Sequence, residues 1–187
     1  MTKYDFCTYI KDGVFMKFYK NSLPEDEESI NLLTSLLVRY PELCTINFTP
    51  KGRLLKLSFI LKDELKKDLY KKISDELVEC VSTYLYFENK TEPNHFKINY
   101  TLGSGITVIE ITRDANTLRQ KEIALIISCL HANFKQIVVS NEPTFQADDL
   151  LEQDDFICDL LDNLRVKTPK NKLIAVREEG RVLVFKR

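Results

Sequence analysis

The sequence predicts an α+β fold: repeated β-hairpin–helix units forming a largely antiparallel sheet with about four helices packed on it. Three observations lead there. All five glycines fall between segments that alternate and are rich in Ile, Val, Phe, Tyr and Thr. Helical periodicity fills the stretches between those glycine-centred pairs. Finally, Cys44-Thr-Ile-Asn-Phe-Thr matches Phe96-Lys-Ile-Asn-Tyr-Thr, and each is followed by a glycine turn, a strand and a helix. The N-terminal Cys7-Thr-Tyr-Ile follows the same order, so the pattern reads as a repeated β-β-α unit. A second parse takes Val14–Tyr19, helix, Cys44–Thr49, Leu54–Leu61, helix, Phe96–Thr101 as β-α-β-β-α-β. That is the ferredoxin-like order, followed by a second α+β lobe. The parses differ on whether residues 6–11 form a strand.

Four hairpins are predicted. Gly13 divides Phe6–Lys11 from Val14–Tyr19, and Gly52 divides Cys44–Thr49 from Leu54–Leu61. Gly103 and Gly105 divide Phe96–Thr101 from Ile106–Thr112, and Gly180 divides Leu173–Arg177 from Val182–Lys186. A tight hairpin turn forces positive φ, which glycine tolerates. Between the hairpins, residues 26–40 carry Ile30, Leu33, Leu36, Leu37 and Tyr40 on one stripe, with Glu25 to Glu28 at the positive helix end. Residues 63–87 carry Leu65, Leu69, Ile73, Leu77, Cys80, Val81 and Tyr84. Thr117 opens a third helix, with Gln120 completing a capping box and a stripe of Ile123, Ile126, Ile127, Leu130 and Phe134. Gln136–Ser140 reads as a short strand. A fourth helix spans about 146–164 on Leu150, Leu151, Phe156, Ile157, Leu160, Leu161 and Leu164.

The polar stretch Asn89-Lys-Thr-Glu-Pro-Asn94 is read as a loop within one domain covering residues 1–187. Two lobes, 1–90 and 95–187, are the alternative. A chain of 187 residues can bury a sizeable core without staples. Lys and Arg number 27 against 28 Asp and Glu, a net charge of −1. That balance argues against attachment to nucleic acid by bulk charge alone.

Cys7, Cys44, Cys80, Cys129 and Cys158 are scattered and form no C-x-x-C. They are expected to be free thiols in a reducing cytosol, which places the protein in the cytoplasm. Met1-Thr-Lys-Tyr-Asp-Phe-Cys lacks the apolar core of a signal peptide, and Ile123 to Leu130 is too short to span a bilayer. The N-x-T sequons at Asn47, Asn89 and Asn99 are therefore read as coincidental.

Catalytic signatures are missing. There is no P-loop, G-x-G-x-x-G, G-x-S-x-G or H-E-x-x-H pattern. Leu102-Gly-Ser-Gly-Ile106 joins two strands instead of opening a helix, where phosphate would bind. His95 precedes a strand, and His131 lies late in the third helix. Cys129, two residues from His131, faces a different direction. No cofactor and no metal site are read. Arg113-Asp114 stands at a strand-to-helix junction, where Asp114 is expected to brace the turn.

Charge is segregated. Asp148, Asp149, Glu152, Asp154, Asp155, Asp159 and Asp162 crowd the fourth helix, with no Lys or Arg between Lys135 and Arg165. Arg165, Lys167, Lys170, Lys172, Arg177, Arg181, Lys186 and Arg187 crowd the C-terminus. Lys62, Lys66, Lys67, Lys71 and Lys72 form a second basic group near the second helix. The reading that follows is a non-enzymatic regulatory or protein-interaction module. Its partner-binding residues are taken as Asp155, Asp159, Asp162, Arg177, Arg181 and Lys186. The acidic helix and basic hairpin are expected to satisfy each other, within one chain or between two copies. Leu173–Phe185 is expected to leave an open sheet edge, with Phe156 or Val184 supplying apolar contact. An RNA- or ribosome-associated protein using the basic helix and hairpin is the alternative, and an enzyme whose site is assembled from distant residues is the third reading.

Overall fold

A computed structural model describes residues 5–11, 14–18, 24–62, 64–134, 137–138, 147–167, 169–178 and 181–187, with backbone alone for those in 5–25 and 147–150. The elements are β1 (Asp5–Lys11), β2 (Val14–Phe18), α1 (Pro24–Arg39), β3 (Leu43–Thr49), β4 (Leu54–Leu61), α2 (Lys67–Phe87), β5 (Phe96–Gly103), β6 (Ile106–Asp114), α3 (Gln120–Asn133), α4 (Ala147–Val166), β7 (Leu173–Glu178) and β8 (Arg181–Lys186). Three consecutive β-β-α units are thus followed by α4 and a last hairpin. The α+β architecture and the antiparallel sheet with its four helices agree with the hairpin–helix reading. Residues 5–11 are a strand paired on both sides, which decides against the ferredoxin-like parse.

The eight strands form one sheet in the order β2-β1-β8-β7-β3-β4-β6-β5. Every neighbouring pair is antiparallel. Pairing of β4 with β6 carries the sheet through both halves of the chain, across the polar stretch at 89–94.

The terminal hairpin does not lie at an edge, contrary to expectation. β8 pairs with β1 and β7 with β3, so the hairpin occupies the middle and β2 and β5 are the edges. The physical reason is the path of α1. It connects β2 to β3 while lying over β3, β7 and β8. That crossing leaves a two-strand gap between β1 and β3, which the last hairpin fills.

One sheet face is the core side. Ile46 and Phe48, Leu55 to Phe59 at alternate positions, Ile109, Ile111, Ala175, Val182 and Val184 are buried. They meet Leu33 and Leu37 of α1, Ile73, Leu77 and Val81 of α2, Ile123 to Leu130 of α3 and Leu161 of α4. Each fully buried aliphatic side chain contributes about 1.5–3 kcal/mol. Val184, expected to supply interface affinity, is buried on this side and cannot do so.

Several boundaries move for identifiable reasons. α2 begins at Lys67, because the Leu65 N–H donates to Thr107 Oγ1 at 2.9 Å instead of entering a helix. It ends on Asn89 at φ +50°, with Lys90 N–H donating to Leu85 O at 2.9 Å, a Schellman closure. The capping box at Thr117 does not form. Asp114 Oδ2 takes both the Thr117 N–H (3.1 Å) and its hydroxyl (2.7 Å), and α3 starts three residues later. Of the short strand at 136–140, Ile137 makes an isolated antiparallel bridge to Leu61; the other positions lie outside the described residues, except Val138, whose N–H donates to Ile60 O. Gly52 and Gly105 occupy their turns at φ +81° and +76°. The turns at Gly13 and Gly180 lie outside the described residues.

Candidate functional site

The helix layer contains a groove of about 1310 Å³ whose walls are α2 and α4 and whose floor is α3. α3 makes a floor because its two faces differ. Ile123, Ile126, Ile127 and Leu130 point into the core. Lys121, Ala124, Leu125, Ser128 and Ala132 line the groove at i, i+3, i+4, i+7 and i+11 spacing, and three of those five are small. The α2 wall presents Glu76, Glu79, Cys80, Thr83 and Tyr84, again one helical face. The α4 wall presents Leu151, Asp154, Asp155 and Cys158. Leu151 is 67% exposed and Phe156 is 47% exposed. Both were expected on the packed stripe of α4, and instead they face outward.

One side of the groove is braced by polar contacts. Arg39 Nε donates to Asp154 Oδ1 at 2.7 Å and Nη2 to Oδ2 at 3.1 Å, the bidentate geometry that favours Arg over Lys. Gln120 Nε2 donates to the Tyr40 hydroxyl at 2.7 Å. Burial pushes the Tyr40 phenol well above its usual range, so it stays neutral. Arg39 and Asp154 therefore neutralise each other, and Tyr40 adds no charge.

Three thiols border the groove. Burial and the adjoining Cys80 thiol push Cys129 up to about 12. Burial also raises Cys158, helped by Asp155, Asp162, Asp154 and Asp159 around it. Thiols held protonated in this way are poor nucleophiles at neutral pH. Cys44, Cys80, Cys129 and Cys158 are free; the Cys7 side chain lies outside those described.

The structure does not gather the sequence-predicted site residues into one place. Asp155 lines the groove and Asp159 is exposed farther along α4. Asp162 is paired with Arg165 and lies 3.7 Å from Arg119. Lys186 pairs with Asp26, a buried residue of α1 that also accepts from Asn171 at 3.2 Å. Arg177 of β7 is half-buried, with Nε and Nη2 lacking hydrogen-bond partners, and burial lowers its pKa. Arg181 is exposed at the start of β8. Among the described contacts within the chain, the acidic helix and the basic hairpin pair with other elements. α4 draws its cations from Arg39, Arg119 and its own Arg165, while the hairpin draws its carboxylate from α1. Proximity in the fold overrode the net charge of each segment.

A second constellation is buried at the β6–α3 junction. Arg113 is fully buried, and its guanidinium clasps Glu122 at 2.5 and 2.8 Å. Its Nη1 donates to Asp114 Oδ1 (2.8 Å), Thr117 Oγ1 (3.2 Å) and His95 O (3.3 Å). The Phe96 ring lies 5.6 Å from the guanidinium carbon. Asp114 also receives the His95 N–H at 3.0 Å. Burial works against the Asp114 carboxylate, yet Thr117, His95 and Arg113 together hold its pKa below the usual range. The brace expected of Asp114 is present. Arg113 and Glu122 were not foreseen as a pair, although parity with Ile109 and Ile111 on β6 points Arg113 inward.

Arg53, at φ +51°, donates through Nη2 to Leu164 O and so caps α4, while Arg165 Nη2 donates to Leu118 O at 2.9 Å. His131 faces Glu42 at 2.9 Å in an exposed position. Among the described residues, no group of three or more His, Cys, Asp or Glu side chains is placed to hold a metal ion, and no helix is long and apolar enough to cross a membrane. No family model, curated protein or solved structure matches the chain.

Proposed function

We propose that this protein is a non-enzymatic interaction module that works in the cytoplasm and receives a segment of a partner protein in the groove between α2 and α4. The observation that carries this reading is the outer face of α3. A helix sandwiched between two others, with Ala124, Leu125, Ser128 and Ala132 turned to an open trough, leaves accessible a face that a packed helix layer would ordinarily fill. The chemistry of the trough supports binding over catalysis, since the Cys129 and Cys158 thiols are held protonated and the Arg39–Asp154 pair is self-satisfied.

The RNA reading needs its two basic groups on one surface. Tyr70, next to Lys71 and Lys72 on α2, bonds to Ile98 of β5 at one end of the sheet. β8 lies five strand positions away, about 24 Å at the usual inter-strand spacing. Burial of Arg177 and the pairing of Lys186 further shrink the hairpin's basic surface.

A photo-crosslinker placed at Leu125 tests the proposal. It should capture a discrete protein species in cells that make the chain, while the same crosslinker at Lys97, an exposed position on edge strand β5, should not. Equal capture at both positions, or none at Leu125, would remove the groove from the account.

A further inference from the structure

We propose that the groove's occupant is a basic amphipathic α-helix, with small and aliphatic residues on its buried stripe and Lys or Arg on both flanks. This rests on the interaction reading above and adds the partner's chemistry.

A helix is favoured over an extended segment by the backbone. The walls and floor are helices, whose N–H and C=O groups are already paired internally. They offer no ladder to an incoming strand, which would bury unsatisfied peptide groups. A helix satisfies its own backbone and needs only side-chain contact. The small residues Ala124, Ser128 and Ala132, one turn apart, let its axis approach α3 closely. α3 has 14 residues and is about 21 Å long, enough to seat roughly four turns of a partner. Leu151, two-thirds exposed on the α4 rim, is placed to cover an aliphatic stripe.

Charge decides the flanks. With Arg39 and Asp154 satisfying each other, the remaining charges facing the trough among the described residues are Glu76 and Glu79 on α2, Asp155 on α4 and Lys121 on α3. Glu76 has a 3.6 Å contact with Lys72, but both side chains are well exposed and such pairs hold little. Both walls are therefore acidic, and an occupant with cations along both edges meets them. A second copy is the competing occupant, since Leu69 and Val78 of α2 and Phe156 of α4 stay partly exposed, and the oligomeric state of the chain is read alongside peptide binding to separate the two.

Isothermal titration calorimetry on the full chain provides the test. The probe is a helix-stabilised synthetic peptide of about 14 residues, with Leu and Ala on one stripe and Lys on both flanks. Its counterpart carries Glu in place of Lys. The Lys peptide should bind about tenfold or more tightly than the Glu peptide, with affinity falling as salt rises. The triple variant Glu76→Lys, Glu79→Lys, Asp155→Lys should reverse that order, thermal melts confirming that it folds. Ser128→Trp, which fills the floor, should abolish binding of the Lys peptide. Equal binding of the two peptides, binding of neither, or an unchanged preference in the triple variant would overturn the proposal. So would a dimer of the chain alone that Ser128→Trp dissociates, since the occupant would then be a second copy. Crosslinking from Leu125 judges the wider reading independently: capture there alongside failure of the Lys peptide would leave an interaction module whose partner is not a basic helix.

Discussion

At the scale of single residues, Arg113 shows what one inward-facing charge requires. Its side chain sits on the core face of β6, and Glu122 reaches it from the first turn of α3. Removing one member leaves the other charge buried and alone, which costs about 3–5 kcal/mol, whereas removing both is far milder. Urea unfolding should therefore show Arg113→Met strongly destabilised and Arg113→Met/Glu122→Leu recovering much of the loss. Asp114 adds a pH signature. Its carboxyl pKa is depressed in the folded chain, so the stability it confers is fully present above its unfolded value near 4 and is lost as pH falls below that. The stability gap between wild type and Asp114→Asn should be constant above about pH 5 and close in more acidic solution. Cys158 offers a chemical readout. With its pKa raised by burial and the carboxylates of α4, its alkylation should be slow at pH 7 and should accelerate only at a more alkaline pH than a free cysteine needs. Fast labelling at neutral pH would contradict the acidic wall described here. Alternation along β6 made the direction of Arg113 legible in the sequence. The identity of its partner was not, because Glu122 lies beside an apolar stripe and only the fold brings the two together.

At the scale of elements, turns and stripes were the legible part. Glycine at a positive-φ turn is demanded by sterics that act within a few residues, so Gly52 and Gly105 could be placed from local pattern alone. Their replacement should differ in a predictable way. A Cβ on Gly52 would meet Leu54 Cγ at 3.4 Å, while one on Gly105 meets nothing within 4 Å. Gly105→Ala should cost about 1 kcal/mol from backbone strain alone, and Gly52→Val more, as read from thermal melts. The capping box failed because Thr117 had a stronger claimant: Asp114 was close enough to take both its donors before the helix began. Likewise, periodicity placed Leu151 and Phe156 on the α4 stripe, but α4 rests mainly on α1, and among its described side chains the buried Ile157, Leu160, Leu161 and Leu164 are those that reach the core. Periodicity identifies a helix reliably and its buried arc only approximately, since the neighbour sets that arc.

At the scale of the whole molecule, strand order was not legible. Each hairpin follows from local sequence, but insertion of the last hairpin between the first and second depends on the crossing of α1 and on side-chain fit across the sheet. The consequence is testable. Because β7 and β8 bridge β3 to β1, deleting residues 172–187 should not merely trim a surface but remove the centre of the sheet, with loss of the cooperative melt by circular dichroism. Retention of a sharp transition would contradict the observed order. The groove was invisible for the same reason, being assembled from faces of α2, α3 and α4 that share no sequence motif. Asp155 alone among the sequence-predicted partner residues lines it. The central claim, that this trough is where the protein binds its partner, is tested most directly by methyl NMR of the chain bound to the protein captured at Leu125. Resonances of Ala124, Ala132, Leu125 and Leu151 should shift or broaden on binding, while those of Val108 and Ile174, on the opposite face of the sheet, stay in place; the reverse pattern, with the groove methyls unmoved, would contradict the account.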